Sequence, residues 1–327
     1  MKKWFSFISM FTLILLLAAC NADDTKKDTS ESQQNEDALS VYTTVYPLQY
    51  FTEQIGGEFV DVSSIYPAGA NEHSFEPTQK DMMALADADL FFYVGLGLEG
   101  FVENAQKTLA NEDVKLVPTA ANVTEDQLHI STGHTHAEHY DDGHDHGEEH
   151  AHEEHDAHVW LSPVISQQLA LTIKDELVAE LPEHEAIFNS NYEQLVSELA
   201  TLHSEFEEMA AATTKKTFFV SHAAFGYIAG HYGFNQVPVA GLNSQSEPSQ
   251  KELTAIVDLA NKEDIQYIFF EQNVSSKLTE IISKEVNAET LTLHNLSVLT
   301  KEDIQNNEDY FTLMRKNMEV LKQALNN

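Results

Sequence analysis

The sequence predicts an α/β fold of two lobes, each with a mostly parallel sheet flanked by helices, joined by one long helix. Three observations predict it. Short β-branched or apolar runs alternate with segments of helical spacing over residues 41–117. The same alternation returns over residues 217–293. Between them, residues 183–213 contain no Gly or Pro, and Ile187, Leu195, Leu199, Leu202, Phe206 and Met209 recur mostly at threes and fours, as one face of a continuous helix requires. Strands that alternate with helices argue for parallel sheets, because each crossover needs a helix to bring the chain back.

Residues 41–46 alternate and are rich in Val, Thr and Tyr, which suits a strand. Pro47 ends it, and 48–55 has helical spacing. Residues 59–66 form a second strand, and Pro67-Ala68-Gly69-Ala70-Asn71 is a loop by its Pro and Gly content. A helix over 78–88 turns Met82, Leu85 and Ala86 to one side. Residues 90–94 are a solid apolar run, as in a strand buried on both faces. A helix over 101–109 and a short strand over 114–117 follow. The pattern stops at a His-rich stretch and resumes at Val159-Trp160-Leu161. A helix then runs through Ile165, Leu169, Ile173 and Leu177 until Pro182 interrupts it. After the long helix, strands at 217–220, 236–240, 267–270 and 290–293 alternate with helices at 223–232, 249–263 and 277–286. A helix over 310–325 closes the chain.

The ends and the charge limit what the chain can be. Lys2 and Lys3 precede an apolar run over residues 4–19, which is short for a permanent span and reads as a secretory signal. It ends in Leu17-Ala18-Ala19-Cys20, which resembles the bacterial lipobox, in which the cysteine is acylated and becomes the mature N-terminus. Cys20 is the only cysteine, so no internal disulfide exists. Residues 21–37 carry no apolar group larger than Ala and read as a flexible tether that cannot offset its ordering entropy. The expected organisation is a signal over 1–19, a lipidated Cys20 and tether over 20–37, and a first lobe over 38–182 with a His-rich loop over 129–157. The linking helix follows over 183–213 and the second lobe over 214–327. With 53 acidic and 18 basic side chains, net charge −35, nucleic acid is excluded as a partner, since phosphate binding needs basic clusters.

Histidine carries the chemistry. Residues 129–158 hold 10 of the 16 histidines. Within this stretch His134, His136, His139, His144, His146, His150, His152 and His155 are candidate accessory metal ligands. A soluble acidic linker does not account for such a density. Neutral imidazoles bind zinc, so occupancy of this loop should fall as pH drops through about 6.5. Three further histidines sit at element ends. His73 lies in Gly69-Ala70-Asn71-Glu72-His73-Ser74-Phe75-Glu76-Pro77, after a strand. His158 lies in Asp156-Ala157-His158-Val159-Trp160-Leu161-Ser162-Pro163, before a helix. His222 ends the strand in Phe218-Phe219-Val220-Ser221-His222, on the sheet edge where α/β proteins bind ligands. Any one alone is more often a structural or solvated histidine. Together, two from the first lobe and one from the second place a site in the cleft between lobes.

These segments, their order and the long helix resemble the metal-binding lipoproteins of ABC importers, the family that includes ZnuA and the manganese-binding PsaA. The Gly-x-x-x-His-x-Phe-Glu-Pro and Asp-x-His-x-Trp-Leu-x-Pro motifs carry the likeness, which runs over nearly the whole chain after the tether. The resemblance implies that His73, His158 and His222 bind the metal. It also implies that the chain works with an ABC permease and its ATPase, as a monomer held to the membrane by lipid on Cys20. Three imidazoles favour Zn2+, whereas manganese prefers carboxylate oxygen, and manganese-type relatives carry a carboxylate in place of His222. For the fourth ligand, relatives often use a carboxylate after the last strand, where this chain has Ser297. Water, Glu72 and His294 are the remaining candidates; Glu72 reads equally well as a loop carboxylate. The competing functions are a manganese importer lipoprotein, a zinc-storage or adhesin lipoprotein, and a zinc hydrolase. The last lacks a His-Glu-x-x-His helix and a clear general base. The expected chain is therefore not an enzyme.

Overall fold

β1 (Leu39–Thr43) pairs in parallel with β2 (Val60–Ser64) on one side and β3 (Leu90–Tyr93) on the other. β4 (Lys115–Pro118) completes a four-stranded sheet in the order β2-β1-β3-β4. The structure, a computed structural model, describes residues 38–133, 155–244, 248–272 and 276–327. All four residues of β3 are buried, as its unbroken apolar run requires for a strand covered on both faces. The second sheet repeats the order, β6-β5-β7-β8, again all parallel. Its strands are β5 (Thr217–His222), β6 (Asn235–Ala240), β7 (Tyr267–Glu271) and β8 (Glu289–Leu293). In each sheet the order reverses beside its first strand, which puts His222 and Glu271, ending adjacent β5 and β7, at a topological switch point.

The helices follow local signals. α1 (Tyr46–Gly56) starts two residues before the expected segment because Pro47 occupies its first turn rather than merely ending the strand; the missing proline N–H costs nothing there. Thr78 and Asp81 form a capping box that starts α2 (Gln79–Ala86). α3 (Val102–Thr108) leads to β4. A short helix missed by apolar periodicity, α4 (Glu125–Leu128), is set by a Thr124–Gln127 capping box. α5 (Pro163–Glu180) begins at Ser162, whose hydroxyl accepts the Ile165 N–H at 3.2 Å.

After the break at Pro182 comes α6 (Glu185–Ala212), the expected long helix. Its first core residue is Phe188, fully buried, and not Ile187, which is 44% exposed. Both fit a spacing of threes and fours from the following leucines only loosely, and the seven residues from Phe188 to Leu195 are two full turns. The second lobe adds α7 (Gly226–Tyr232), α8 (Gln250–Lys262), α9 (Lys277–Glu285), α10 (Lys301–Gln305) and α11 (Tyr310–Leu325). α10 was also invisible to periodicity, although Thr300 and Asp303 form its capping box.

One apolar cluster runs from Phe91 and Phe92 through Ile173, Phe188 and Phe206 to Phe218, Phe269 and Leu321. The lobes therefore share a core across α5, α6 and α11 as well as a linking helix. Arg315 on α11 holds Glu205 on α6 through two hydrogen bonds of 2.8 and 3.2 Å. A smaller cluster of Phe219, Val239, Ile256, Ile268 and Ile282 lies on the other face of the second sheet.

The two stems of the His-rich segment belong to the fold. Thr132 N–H donates to the Gly226 carbonyl, and Gln236 Nε2 donates to the carbonyls of Thr132 and Gly133. The approach is so close that a Cβ on Gly230 would lie 1.7 Å from the Ile130 carbonyl oxygen, and one on Gly226 would lie 2.1 Å from Ser131 Oγ. Gly230→Ala is therefore expected to push the stem off α7 and cost roughly 1–3 kcal/mol, as overpacking does. Chemical unfolding midpoints check it. The signal, Cys20, the tether and His134, His136, His139, His144, His146, His150 and His152 lie outside the described residues.

Candidate metal centre

Two loops and the end of β5 converge. His73 sits between β2 and α2, in a turn where Asn71 Oδ1 accepts its backbone N–H at 3.0 Å. Asn71 also donates to Ser244 Oγ of the second lobe at 3.2 Å. His158 ends the second stem of the His-rich segment, directly before a 3₁₀ turn, Val159–Leu161, that leads into α5. His222 ends β5. Ring centroids lie 5.3 Å apart for His73–His158, 5.1 Å for His73–His222 and 4.9 Å for His158–His222. One ring nitrogen from each comes within 4.8 Å of the other two. Tetrahedral zinc with bonds of 2.0–2.1 Å would hold nitrogens roughly 3.3 Å apart, so small ring movements close the set.

The hydrogen bonding shows which nitrogens are free. His158 Nδ1 is 2.7 Å from Asp156 Oδ1, which also accepts the His158 N–H at 2.9 Å. His222 Nδ1 is 3.0 Å from Glu271 Oε1. Such carboxylates fix ring orientation and raise ligand basicity. The Nε2 atoms of His73 and His158 are buried and have no hydrogen-bond partner. Buried polar atoms are nearly always satisfied, so two orphaned imidazole nitrogens facing a third histidine fit a cation bound among them. His222 Nε2 lies 2.8 Å from the Leu242 carbonyl oxygen, a contact that a metal must replace.

The charges are set by burial and pairing. Burial, reinforced by the other two histidines, lowers the His73 pKa to about 2, so its ring is neutral. Burial also acts to lower His222, but the Glu271 carboxylate and the Leu242 carbonyl outweigh it and push His222 up to about 9. Burial alone would raise Glu271; His222, His158 and Asn295 hold it below the usual carboxylate range. Asp156 follows the same logic, with His158 and Ser131 as its partners. Once His222 yields its proton, the three imidazoles make a nitrogen donor set of the kind zinc prefers.

The other expected residues divide. Glu72 is buried beside the histidines, its carboxylate accepting from Asn295 Nδ2 at 3.0 Å, but it is outside the 4.8 Å group. Burial and the neighbouring Glu271 raise its pKa. His294 does not join the site. It is outside the group of ligand atoms within 4.8 Å of one another, and its Nδ1 accepts the Leu296 N–H at 2.9 Å while its Nε2 binds Asp303 at 3.0 Å. Ser297 Oγ donates to Asn295 Oδ1 at 2.8 Å. His155 lines a cavity of about 210 Å³ that also reaches His73 and His158.

Trp160 is fully buried, its ring 5.3 Å from that of His158. Sequence reasoning assigned no role to Asp156, Ser131 or Asn295. The Asp-x-His spacing could have revealed the first, since a carboxylate two residues before a histidine reaches its ring. Nothing local could have revealed the other two, whose contacts span 25 residues for Ser131–Asp156 and 223 for Asn295–Glu72.

Comparison with known proteins places this arrangement. Residues 41–324 match the family described as "Zinc-uptake complex component A periplasmic". The chain is 35% identical over 324 residues to the zinc-binding lipoprotein AdcA of Streptococcus pneumoniae, covering 99% of this chain and 61% of AdcA. It thus spans about three-fifths of that relative's length. It is 34% identical over 333 residues to the high-affinity zinc uptake system protein ZnuA of Bacillus subtilis, covering 99% and 98% of the two chains. Among solved structures, the Zn(II)-bound ZnuA-like domain of S. pneumoniae AdcA superposes with a TM-score of 0.71 at 32% identity, over 89% of this chain and 100% of that domain. The laminin-binding protein Lmb of Streptococcus agalactiae, described as a bifunctional protein with adhesin and metal transporting activity, gives 0.74 at 28% identity, over 88% and 99%. The chain belongs to the family of zinc-uptake complex component A periplasmic proteins.

Proposed function

We propose that this chain is the extracytoplasmic zinc-binding component of an ABC uptake system, which holds Zn2+ on His73, His158 and His222 and delivers it to a membrane permease driven by an ATPase. The observation that carries the reading is the pair of buried, partnerless Nε2 atoms on His73 and His158, facing His222. Zinc is favoured over manganese because the inward donors are imidazole nitrogens, while Asp156 and Glu271 are taken up as partners of histidines. The same engagement argues against a hydrolase. Glu72, the remaining carboxylate beside the histidines, accepts a hydrogen bond from Asn295.

The N-terminus supplies the location. A signal over 1–19, a lipid on Cys20 and a tether over 20–37 would hold a monomer at the outer face of the membrane. Among the described residues no helix is long and apolar enough to cross it. His134 through His155 would collect zinc and pass it inward along the cavity that His155 shares with His73 and His158. The unbroken α6 and the shared core favour limited lobe closure, since a helix without Gly or Pro lacks the usual means of kinking.

Expression in a host stripped of its own zinc-binding lipoprotein tests the proposal. Growth in zinc-depleted medium should return with the wild type and not with His222→Ala. Failure of a folded, zinc-loaded wild type to restore zinc uptake in a host carrying a matched permease would refute delivery. Adhesion is the second reading, favoured by the likeness to Lmb; laminin binding that survives removal of zinc and of all three histidines would favour it.

A further inference from the structure

Asn295 lies two residues beyond β8 and contacts a residue beside each of the three histidines. Its Nδ2 donates to Glu72 Oε1 at 3.0 Å and to Glu271 Oε2 at 2.7 Å. Glu72 precedes His73, and Glu271 holds His222. Its backbone carbonyl accepts the indole N–H of Trp160, two residues after His158, at 2.7 Å. The side chain is itself immobilised. Its Oδ1 accepts from Gln272 Nε2 at 2.7 Å, Ser297 N–H at 3.0 Å and Ser297 Oγ at 2.8 Å. Its backbone N–H donates to Gln272 Oε1 at 3.1 Å.

We propose that Asn295 is a positioning residue that holds the Glu72 carboxylate off the metal, so that three histidines bind zinc and the fourth position stays open to solvent. The inference rests on the reading of the histidines as the zinc site. Asn295 spends one amide hydrogen on a carboxylate from each lobe, and it cannot follow Glu72 if that side chain moves. Movement of Glu72 Oε1 away toward the metal would leave a buried N–H without an acceptor, which is the costly half of breaking a hydrogen bond. Glu72 is accordingly outside the group of ligand atoms within 4.8 Å of one another. The hydroxyl of Ser297 is turned to Asn295 Oδ1. An open position lets an incoming donor attack the bound ion before any histidine lets go, which suits a cargo that must leave.

The test uses Co2+ as a coloured stand-in for zinc, with zinc release followed by chelator competition. Glu72→Gln keeps an acceptor for Asn295. It should leave the Co2+ spectrum unchanged and zinc release within about threefold of wild type, well short of the 10–100-fold that a lost metal-supporting group costs. Asn295→Asp is nearly isosteric but turns the two donors into an acceptor facing two carboxylates. It should drive Glu72 to the metal, slow zinc release by about tenfold or more, and alter the Co2+ spectrum. Adding Glu72→Gln to it should reverse both effects.

The proposal is overturned if Glu72→Gln alone changes the spectrum or speeds zinc release tenfold, or if the Asn295→Asp effect survives in the double variant. If Asn295→Asp does not fold, the Glu72→Gln result decides alone. A wild type that takes up no Co2+, or takes it up regardless of His222→Ala, would instead refute the zinc site itself.

Discussion

Replacement of His73, His158 or His222 by Ala is expected to weaken zinc binding by more than about 100-fold in each case, beyond the 10–100-fold that loss of an outer partner costs. The three variants should differ sharply in metal-free stability, because their rings do different work before metal arrives. His73 Nε2 is buried and unpartnered, so His73→Ala removes an unsatisfied polar atom and should leave the metal-free protein nearly as stable as wild type. His158→Ala strips Asp156 of its ring partner in a fully buried setting, which should cost roughly 1–3 kcal/mol. His222→Ala leaves Glu271 without its opposite charge, and breaking such a buried pair costs about 3–5 kcal/mol. Calorimetric zinc titration and metal-free unfolding measured together check the pattern. Equal stability losses in the three variants would contradict the hydrogen-bond assignments.

Zinc binding at neutral pH should release about one proton from His222 and none from His73, because bound imidazole must be neutral. His222 is raised to about 9 and therefore carries a proton between its two partners, Glu271 and the Leu242 carbonyl, whereas His73 lies near 2 and is already neutral. The zinc affinity contributed by His222 should rise about tenfold per pH unit up to about 9 and then flatten. The stability of the metal-free protein should show the opposite trend. A histidine raised above its unfolded value of about 6.5 contributes stability fully below that pH and loses it as pH climbs through about 9. Glu271→Gln should abolish most of the His222 proton release at pH 8 and lower zinc affinity about 10–100-fold. Titration in buffers of different protonation enthalpy measures the proton count.

Much of this was legible in the sequence because the fold is built from strong periodic signals. The fully buried β3 and the final helix, α11, stand where the apolar pattern puts them. The three histidines could be named because each sits in a motif at an element end. Short elements escaped: α4 and α10 bury too little to show periodicity and are set by capping boxes instead. Ile187 stood in for Phe188 because adjacent residues on a helix differ by 100° and a stripe of threes and fours tolerates either. His294 looked available because a histidine after the last strand faces the right edge; Asp303 and the Leu296 N–H, supplied by the following turn, occupy it. The support of the site by Asn295 arises only when residues more than 130 positions apart meet, which no local reading contains.

The central claim is that one zinc ion is held by a histidine from each of three chain segments, two loops and the end of β5. A crystal structure of the zinc-loaded protein, with residues 134–154 deleted and both stems kept, tests it through the anomalous signal at the zinc edge. The account predicts one dominant peak within about 2.0–2.1 Å of a ring nitrogen of His73, His158 and His222, with the His222–Leu242 contact broken. A dominant peak lacking any one of the three histidines would contradict it.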